Sequence, residues 1–310
     1  MKRRHLLGCI AALPLAPALG RPGIVQRPLA RVIVDNDFAG DPDGLVALAH
    51  QLLAPGTRTV LVTTSALDGK LAGLAGLDPA TTPDAGARLA TALLRHVRPG
   101  VRPPVVAGTD LAAAKAIVAE AMRADPLPLV LACGGPLTNV AAALRLRPDI
   151  AARMRLVWIG GTAAGDDATE YNLATDAAAA RYVFEQTALP ILQIPAEEYR
   201  RFQVPVAQLN GDFQAISPLA RWLLDQYRHL PPFVRLAGTL TFGDSPLVTA
   251  TAFDPAATPF TVRPVLRLRD DGSRGEAIAG RDVRIAHSLD PRLNYDDFTA
   301  LLRAHARRGI

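Results

Sequence analysis

Four aspartates, Asp35, Asp37, Asp41 and Asp43, fall within nine positions directly after the apolar residues 32–34. Carboxylates this close raise one another's pKa unless a cation lies among them. Two arrangements would relieve the repulsion: the side chains spread into solvent around a loop, or they surround a metal ion. The apolar run before them predicts a buried strand. Ligands of open α/β sheets bind at the carboxyl ends of the strands, so this position favours a binding site.

The spacing of the aspartates is compatible with a helix start as well as a metal site. Asp41-Pro42-Asp43 is typical of a helix N-terminus, with Asp41 as the N-cap and Pro42 as the first helical residue. A helix start does not explain Asp35 and Asp37, which alternate along the end of the strand. Calcium binds about six to eight oxygen ligands, whereas few histidines and a single cysteine beyond residue 20 argue against zinc. We therefore predict a Ca²⁺ ion among these carboxylates.

Short β-branched runs alternate with Ala- and Leu-rich stretches of helical period along most of the chain. The runs predicted as buried strands are 32–34, 59–63, 104–106, 129–132, 156–159 and 191–194. The stretches predicted as helices are 44–53, 84–96, 111–123, 138–146 and 176–186. This alternation predicts an α/β fold, a mostly parallel open sheet flanked by helices, in one domain from about residue 30 to residue 310. Residues 210–254 lack clear strand patterns, and we expect helices and loops there.

The composition is that of a globular protein with one sizeable core, since 49% of the 310 residues are hydrophobic and 20% are charged. The formal net charge of +5 raises the question of nucleic-acid binding. However, the arginines are scattered, and the lysines are only Lys2, Lys70 and Lys115. A nucleic-acid surface needs a clustered basic stripe, so we expect no nucleic-acid partner.

The first twenty residues have the pattern of an export signal. Lys2-Arg3-Arg4 precedes an apolar stretch at 6–19, and Ala16-Pro17-Ala18 offers small residues for cleavage. The adjacent arginines resemble a weak twin-arginine signal. We expect residues 1–20 to be removed and the mature protein to be periplasmic or secreted. No membrane anchor is expected after cleavage, because no other apolar run is long enough to span a bilayer.

Several segments, in order along the chain, resemble the inosine-uridine-preferring nucleoside hydrolases. Residues 35–44 (DNDFAGDPDG) are similar to the family signature DxDxGxDD with two extra residues. Residues 135–139 (GPLTN) are similar to the family segment GPLTN. Residues 158–161 (WIGG) and 170–172 (EYN), followed by Asp176, are similar to the family run MGG…EFN…D. Residues 243–247 (GDSPL) are similar to the late HDP segment, and 292–298 to a closing strand-to-helix region. The resemblance covers nearly all of residues 31–308. It implies the Rossmann-like nucleoside hydrolase fold.

The resemblance also implies an activity, the hydrolysis of a ribonucleoside to free base and ribose. In that family one calcium ion holds the attacking water and the ribose 2′- and 3′-hydroxyls. Carried over by position, Asp37 would be a calcium ligand and the general base. The other implied calcium ligands are Asp43, Asp244 and the backbone carbonyl at Gly134. The implied ribose-binding residues are Asp41, Asp43, Glu170 and Asn172.

Two departures from the family pattern leave questions open. The paired aspartates of the signature end here as Asp43-Gly44, so either Asp41 or Asp43 takes the calcium position. The histidine that often helps to protonate the leaving base is replaced by Gly243. Tyr227 and His229 are alternative proton donors or else ordinary surface residues. His50, on the first helix, is expected to pack rather than to react.

Two other functions fit the same residues. One is a catalytically silent protein that binds calcium and ribose, and the other is a hydrolase of a different ribosyl compound. Base specificity follows from neither the motifs nor the composition, and whether the chain forms a homo-oligomer stays open.

Overall fold

The computed structural model describes residues 24–40, 42–163, 170–230, 237–269 and 274–309. The predicted signal at 1–20 and the candidate Asp41 lie outside these residues. The strands are β1 (Ala30–Asn36), β2 (Thr57–Thr64), β3 (Val105–Ala107), β4 (Leu129–Cys133), β5 (Met154–Ile159), β6 (Ile191–Ile194), β7 (Gln203–Pro205), β8 (Thr239–Thr241), β9 (Phe260–Leu268) and β10 (Arg274–Ala286). The helices are α1 (Asp43–Leu53), α2 (Gly69–Leu74), α3 (Thr82–Val97), α4 (Ala112–Met122), α5 (Thr138–Leu146), α6 (Tyr171–Thr175), α7 (Ala177–Gln186), α8 (Ala196–Tyr199), α9 (Val206–Gln208), α10 (Pro218–Gln226), α11 (Pro246–Ala252) and α12 (Pro291–Arg307).

The main sheet in the described part of the chain has eight strands, in the order β3-β2-β1-β4-β5-β6-β10-β9. Neighbours from β3 to β10 pair in parallel, and β9 pairs antiparallel with β10 at the edge. The direction of strand succession reverses between β1 and β4. Open α/β sheets bind their ligands outside the carboxyl ends of the strands at such a reversal. The predicted α/β fold is thus confirmed, and the aspartates after β1 lie at its switch point.

The residues of β1 alternate between two hydrophobic layers on opposite faces of the sheet. Val32 and Val34 belong to the layer that contains residues of α1, α3 and α10–α12, whereas Ile33 belongs to the layer that contains residues of α4, α5 and α7. Successive side chains of a strand point to opposite faces. Asn36 therefore shares the face of Val34, and Asp35 shares the face of Ile33.

Helix α1 begins at Asp43, and Pro42 is its N-cap residue, so the helix starts one residue later than the sequence pattern indicates. His50, near its other end, is fully buried, with Nε2 2.8 Å from Asp297 Oδ2 and its ring stacked on Phe298. This confirms the packing role that we expected for His50.

Three regions differ from the sequence-based expectations. Within 210–254 the chain is mostly helical, but the short strand β8 pairs with β7 in a separate two-stranded sheet. Residues 292–298 lie entirely within α12, because the preceding strand β10 has already ended at Ala286. The hairpin of β9 and β10 was not predicted, since most of its residues are exposed and form no apolar run.

Among the helices of the described ranges, none is both long enough and apolar enough to cross a bilayer.

Candidate active site

The first aspartate of the cluster faces the interior of the sheet. Asp35 is fully buried, and it accepts hydrogen bonds from Thr63 Oγ1 at 2.5 Å and Asn139 Nδ2 at 2.8 Å. Burial raises the pKa of the Asp35 carboxyl, and these hydrogen bonds oppose the rise. Asp35 therefore ties β1 to β2 and α5, and it does not join the other aspartates. Alternation along a strand would place Asp35 and Asp37 on one face, and they separate because β1 ends at Asn36 and Asp37 lies beyond it.

Asp37 follows the last residue of β1 and is 6% exposed. The Tyr171 hydroxyl hydrogen-bonds to its carboxylate and also accepts the Asp68 N–H at 3.3 Å. Burial raises the pKa of the Tyr171 phenol, and the charge of Asp37 raises it further, so the hydroxyl stays protonated. The resemblance had given Tyr171 no role. The family run EFN has phenylalanine where this chain has Tyr171. That difference in sequence was the signal of a hydroxyl that could donate to the candidate base.

Asp43 and Asp244 meet although 201 residues separate them along the chain. Asp43, 9% exposed, is the first residue of α1, and its Oδ2 accepts the backbone N–H of Asp244 at 3.1 Å. Asp244, 4% exposed, lies in the turn before α11. A Cβ atom at Gly243 would lie 2.9 Å from Asp43 Oδ2. A histidine at 243 would thus displace Asp43, which gives a steric reason for its absence.

The backbone of Gly134, just after β4, passes directly beside Asp244. A Cβ atom at 134 would lie 2.7 Å from Asp244 Oδ1 and 2.4 Å from Asn36 Nδ2. Only glycine allows this approach. The Gly134 carbonyl, the implied backbone ligand, accepts a hydrogen bond from Asn172 Nδ2 at 3.1 Å. Asp43 and Asp244 therefore meet beside Gly134 at the carboxyl end of the sheet, and the backbone N of Asp37 lies beside Gly135.

Glu170 and Asn172 lie at the start of α6. The Glu170 carboxylate accepts the N–H groups of Gly161, Asn172 and Leu173 and the hydroxyl of Tyr199. Four donors fill the acceptor capacity of a carboxylate, so Glu170 can contact a ribose only by releasing one of them. Burial raises the pKa of this carboxyl, and the four donors oppose the rise.

Three buried polar atoms at this edge of the sheet have no hydrogen-bond partner among the described residues: Asn36 Oδ1, Ser65 Oγ and Asn172 Oδ1. A buried polar group without a partner costs roughly 1–3 kcal/mol. Ser65 Oγ would lie 2.8 Å from a Cβ at Gly135, beside the backbone N of Asp37. The clustering of such atoms around the aspartates indicates a place where a polar ligand binds.

Comparison with known proteins identifies the family. The sequence profile of the inosine-uridine preferring nucleoside hydrolases matches residues 45–296. The chain belongs to this family. The match begins two residues after Asp43, so the aspartate-rich segment lies outside it, in agreement with the two extra residues of its signature.

Curated relatives are similar over a shorter stretch. The pyrimidine-specific ribonucleoside hydrolase RihA of Salmonella arizonae is 32% identical over 105 residues, which is 33% of each chain. RihA of Citrobacter koseri is 32% identical over 101 residues, 28% of this chain and 32% of its own. The matched stretch thus spans about a third of the length of these relatives.

Solved structures are similar over nearly the whole chain. A plant nucleoside hydrolase superposes with a TM-score of 0.70 at 18% identity, covering 89% of this chain and 100% of its own. The inosine-uridine preferring nucleoside hydrolase of Bacillus anthracis superposes with a TM-score of 0.65 at 18% identity, covering 88% and 99%. These similarities establish the nucleoside hydrolase fold.

The family depends on a metal. Within the described ranges, no group of three or more His, Cys, Asp or Glu side chains is arranged to hold a metal ion by itself. Beside Gly134 lie the Asp244 carboxylate and the Gly134 carbonyl, whose oxygens suit a hard divalent cation. The amide nitrogens of Asn36 and Asn172 donate hydrogen bonds to these two groups. The nearby Cys133 is unsuited as a ligand, because burial and the charge of Asp35 raise the pKa of its thiol. The residues present therefore fit a hard cation, with part of its coordination left to water or substrate.

The candidate proton donors differ in position. Tyr227 is buried rather than on the surface, and its ring packs against Phe242. The side chain of His229 is outside the described part of the structure. Tyr199 takes the space beside position 243, since a Cβ there would lie 3.4 Å from its ring. Its pKa is raised by burial and by Glu170, so its hydroxyl stays protonated.

Proposed function

We propose that the protein is a calcium-dependent nucleoside hydrolase, which cleaves the N-glycosidic bond of ribonucleosides to free base and ribose. The observation that carries the proposal is the meeting of Asp43 and Asp244 beside Gly134, with the backbone of Asp37 next to Gly135, at the switch point of the sheet. Family membership and the partnerless polar atoms at the same place support it. Asp41 stays the alternative to Asp43 as a ligand or ribose contact.

Asp37 acts as the general base in this proposal. Its carboxylate takes a proton from the attacking water while that water adds to the anomeric carbon. The Tyr171 hydroxyl donates to the same carboxylate and so limits its rotation. The transition state of glycosidic cleavage has oxocarbenium character, and the negative charges of Asp37 and Asp43 stabilise its positive charge.

The ribose is held by groups on both sides of the switch point. Asn172 Oδ1, buried and without a partner among the described residues, accepts a ribose hydroxyl. Its Nδ2 stays fixed by the carbonyls of Gly134 and Ile159, at 3.1 and 2.9 Å, which orients the amide. Glu170 shapes the turn that presents Asn172, and it reaches the ribose when one of its donors is released.

Calcium would be held by Asp37, Asp43, Asp244 and the Gly134 carbonyl. When bound, it would supply Lewis-acid activation of water and an anchor for vicinal hydroxyls. The vicinal diol is therefore a requirement of the proposal, and a 2′-deoxyribonucleoside lacks it.

The leaving base receives little help from an acid at position 243, where glycine leaves room for Asp43. Substrates whose base departs easily, such as nitrophenyl riboside or nicotinamide riboside, should then react faster than inosine. The test is the rate of base release from these two compounds, inosine, uridine and a 2′-deoxy analogue, with calcium and with a chelator. Riboside cleavage that needs calcium supports the proposal. Equal cleavage of the deoxy analogue would contradict the requirement for a vicinal diol. Binding of ribose without any cleavage would identify a silent binding protein.

We also propose that the chain is exported, on the basis of the charged and apolar pattern of residues 1–20. N-terminal sequencing of protein from a periplasmic fraction should find a start between about residues 19 and 25. An intact Met1 on protein from the cytoplasm would contradict this.

A further inference from the structure

Asn36, the last residue of β1, extends into the centre of the candidate site. Its Nδ2 donates to Asp244 Oδ2 at 2.7 Å, and the side chain is 1% exposed. Asn36 lies between the two aspartates Asp35 and Asp37 of the signature, and neither the motif nor the carried-over roles include it. The contact joins the end of the first strand to a residue 208 positions later.

Two glycines make the room for this amide. A Cβ atom at Gly44 would lie 2.7 Å from Asn36 Oδ1, and one at Gly134 would lie 2.4 Å from Asn36 Nδ2. Contacts this short do not occur between real atoms of these types. Gly44, on the first turn of α1, therefore leaves the space that the Asn36 side chain occupies. Its role is more than the loss of one carboxylate from the signature.

The amide is held in one orientation by its surroundings. Its nitrogen meets a carboxylate, whereas the reversed amide would place Oδ1 against the Asp244 oxygen and would be repelled. Carboxylates that bind metals are commonly oriented by hydrogen bonds from neighbouring groups, and loss of such a partner costs about 10–100-fold in metal affinity. A neutral donor fixes a carboxylate without cancelling its charge.

We propose that Asn36 is a positioning residue of the cation site, which holds Asp244 in the orientation that the cation requires. This inference rests on the proposed function, since it concerns the same site. Asn36 acts through Nδ2 on Asp244, and Gly44 and Gly134 are required because any larger residue would displace it.

The test is calorimetric titration of the purified protein with CaCl₂, on the wild type, Asn36→Ala and Asn36→Asp. Asn36→Ala removes the donor and should weaken calcium binding by about 10–100-fold. Asn36→Asp keeps the shape but replaces the donor with a carboxylate against Asp244, and it should weaken binding as well. The matched control is Asn139→Ala, which removes another buried amide from an aspartate, Asp35, on the opposite face of the strand. This control should lower the melting temperature and leave the calcium Kd unchanged.

The outcomes separate the two proposals. If the wild type takes up no calcium, both the metal dependence and the role of Asn36 are wrong. If the wild type binds calcium and Asn36→Ala binds equally well, only the role of Asn36 is wrong. Tighter binding by Asn36→Asp would also overturn it, since the side chain would then act through its oxygen as a ligand. If Asn36→Ala is unstable, the rise of Tm on adding calcium is compared between Asn36→Asp and the wild type. A smaller rise in the variant supports the proposal, and an equal or larger rise overturns it.

Discussion

Carboxylates near the two ends of strand β1 are held in different ways. At the amino end, the Arg31 guanidinium is almost fully buried and contacts Glu120 at 2.5 Å and Asp125 at 3.7 Å. Arg123 approaches Glu120 at 3.0 Å, and Arg58 pairs with Asp125. Arginine thus neutralises these acids, and the network ties β1 to the segment between α4 and β4.

At the carboxyl end, neutral groups contact the acids. Asn36 Nδ2 donates to Asp244, the Asp244 N–H donates to Asp43, and the Tyr171 hydroxyl donates to Asp37. These three donors orient the carboxylates, and a neutral donor does not cancel the charge of a carboxylate. Acids near the two ends of β1 thus have different uses. Those paired with arginine contribute stability, and those oriented by a neutral donor are suited to bind a cation and stabilise a cationic transition state.

The largest effect is expected from the exchange of a single carboxylate at the carboxyl end. Asp37→Asn removes the general base and should lower kcat/KM for ribosides by roughly 10²–10⁴-fold. Asp35→Asn is the matched control, because the same change two residues earlier falls on the interior face and keeps an acceptor for Thr63 and Asn139. Steady-state kinetics of both variants, with circular dichroism to confirm folding, decides. Equal losses in both would mean that the two faces are not functionally distinct.

The amino end should respond in stability and not in activity. Arg31→Met leaves the partly buried Glu120 with only Arg123 as a partner, and the free energy of unfolding should fall by roughly 1.5–3 kcal/mol, as for a lost hydrogen bond to a charged group. Urea denaturation measures this, while kcat/KM and the calcium Kd should stay at wild-type values. The control is Arg147→Met, which breaks an exposed pair with Asp149 and should change stability much less. A large loss of calcium affinity in Arg31→Met would contradict the separation of the two ends.

A smaller effect is expected from the phenol at the carboxyl end. Tyr171→Phe removes the hydrogen bond to Asp37 but keeps the ring, and kcat should fall about tenfold, as for a lost hydrogen bond to a charged group. KM should change little if the phenol orients only the base. Tyr182→Phe, whose ring packs on Arg145 away from the site, should retain wild-type kinetics. An unchanged kcat in Tyr171→Phe would show that Asp37 needs no such support.

The smallest effect concerns the far end of α1, where His50 is buried. Desolvation lowers the pKa of His50, although Asp297 opposes the change. The unfolded chain binds a proton below about pH 6.5 while the folded protein does not, so stability should fall as pH decreases through that value. His50→Gln should flatten this dependence in urea denaturation at pH 8 and pH 5.5. A variant that loses as much stability as the wild type would assign the effect to other groups.

Much of the fold was predictable, because strands buried on both faces are continuous apolar runs and amphipathic helices repeat apolar residues with the helical period. The exposed hairpin of β9 and β10 carries neither signal. The separation of Asp35 from Asp37 was not predictable, because alternation places both on one face and only the end of β1 at Asn36 separates them. The role of Asn36 was not predictable, because it depends on Gly44, Gly134 and Asp244, which only the folded chain brings together.

The most direct test of the central claim, that the carboxyl end of β1 binds a hard cation for riboside hydrolysis, is a crystal structure of the calcium-loaded protein with anomalous data to identify the ion. We expect one ion bound by Asp37, Asp43, Asp244 and the Gly134 carbonyl, at distances of about 2.3–2.6 Å. An ion bound elsewhere, or none at these oxygens in millimolar calcium, would contradict it.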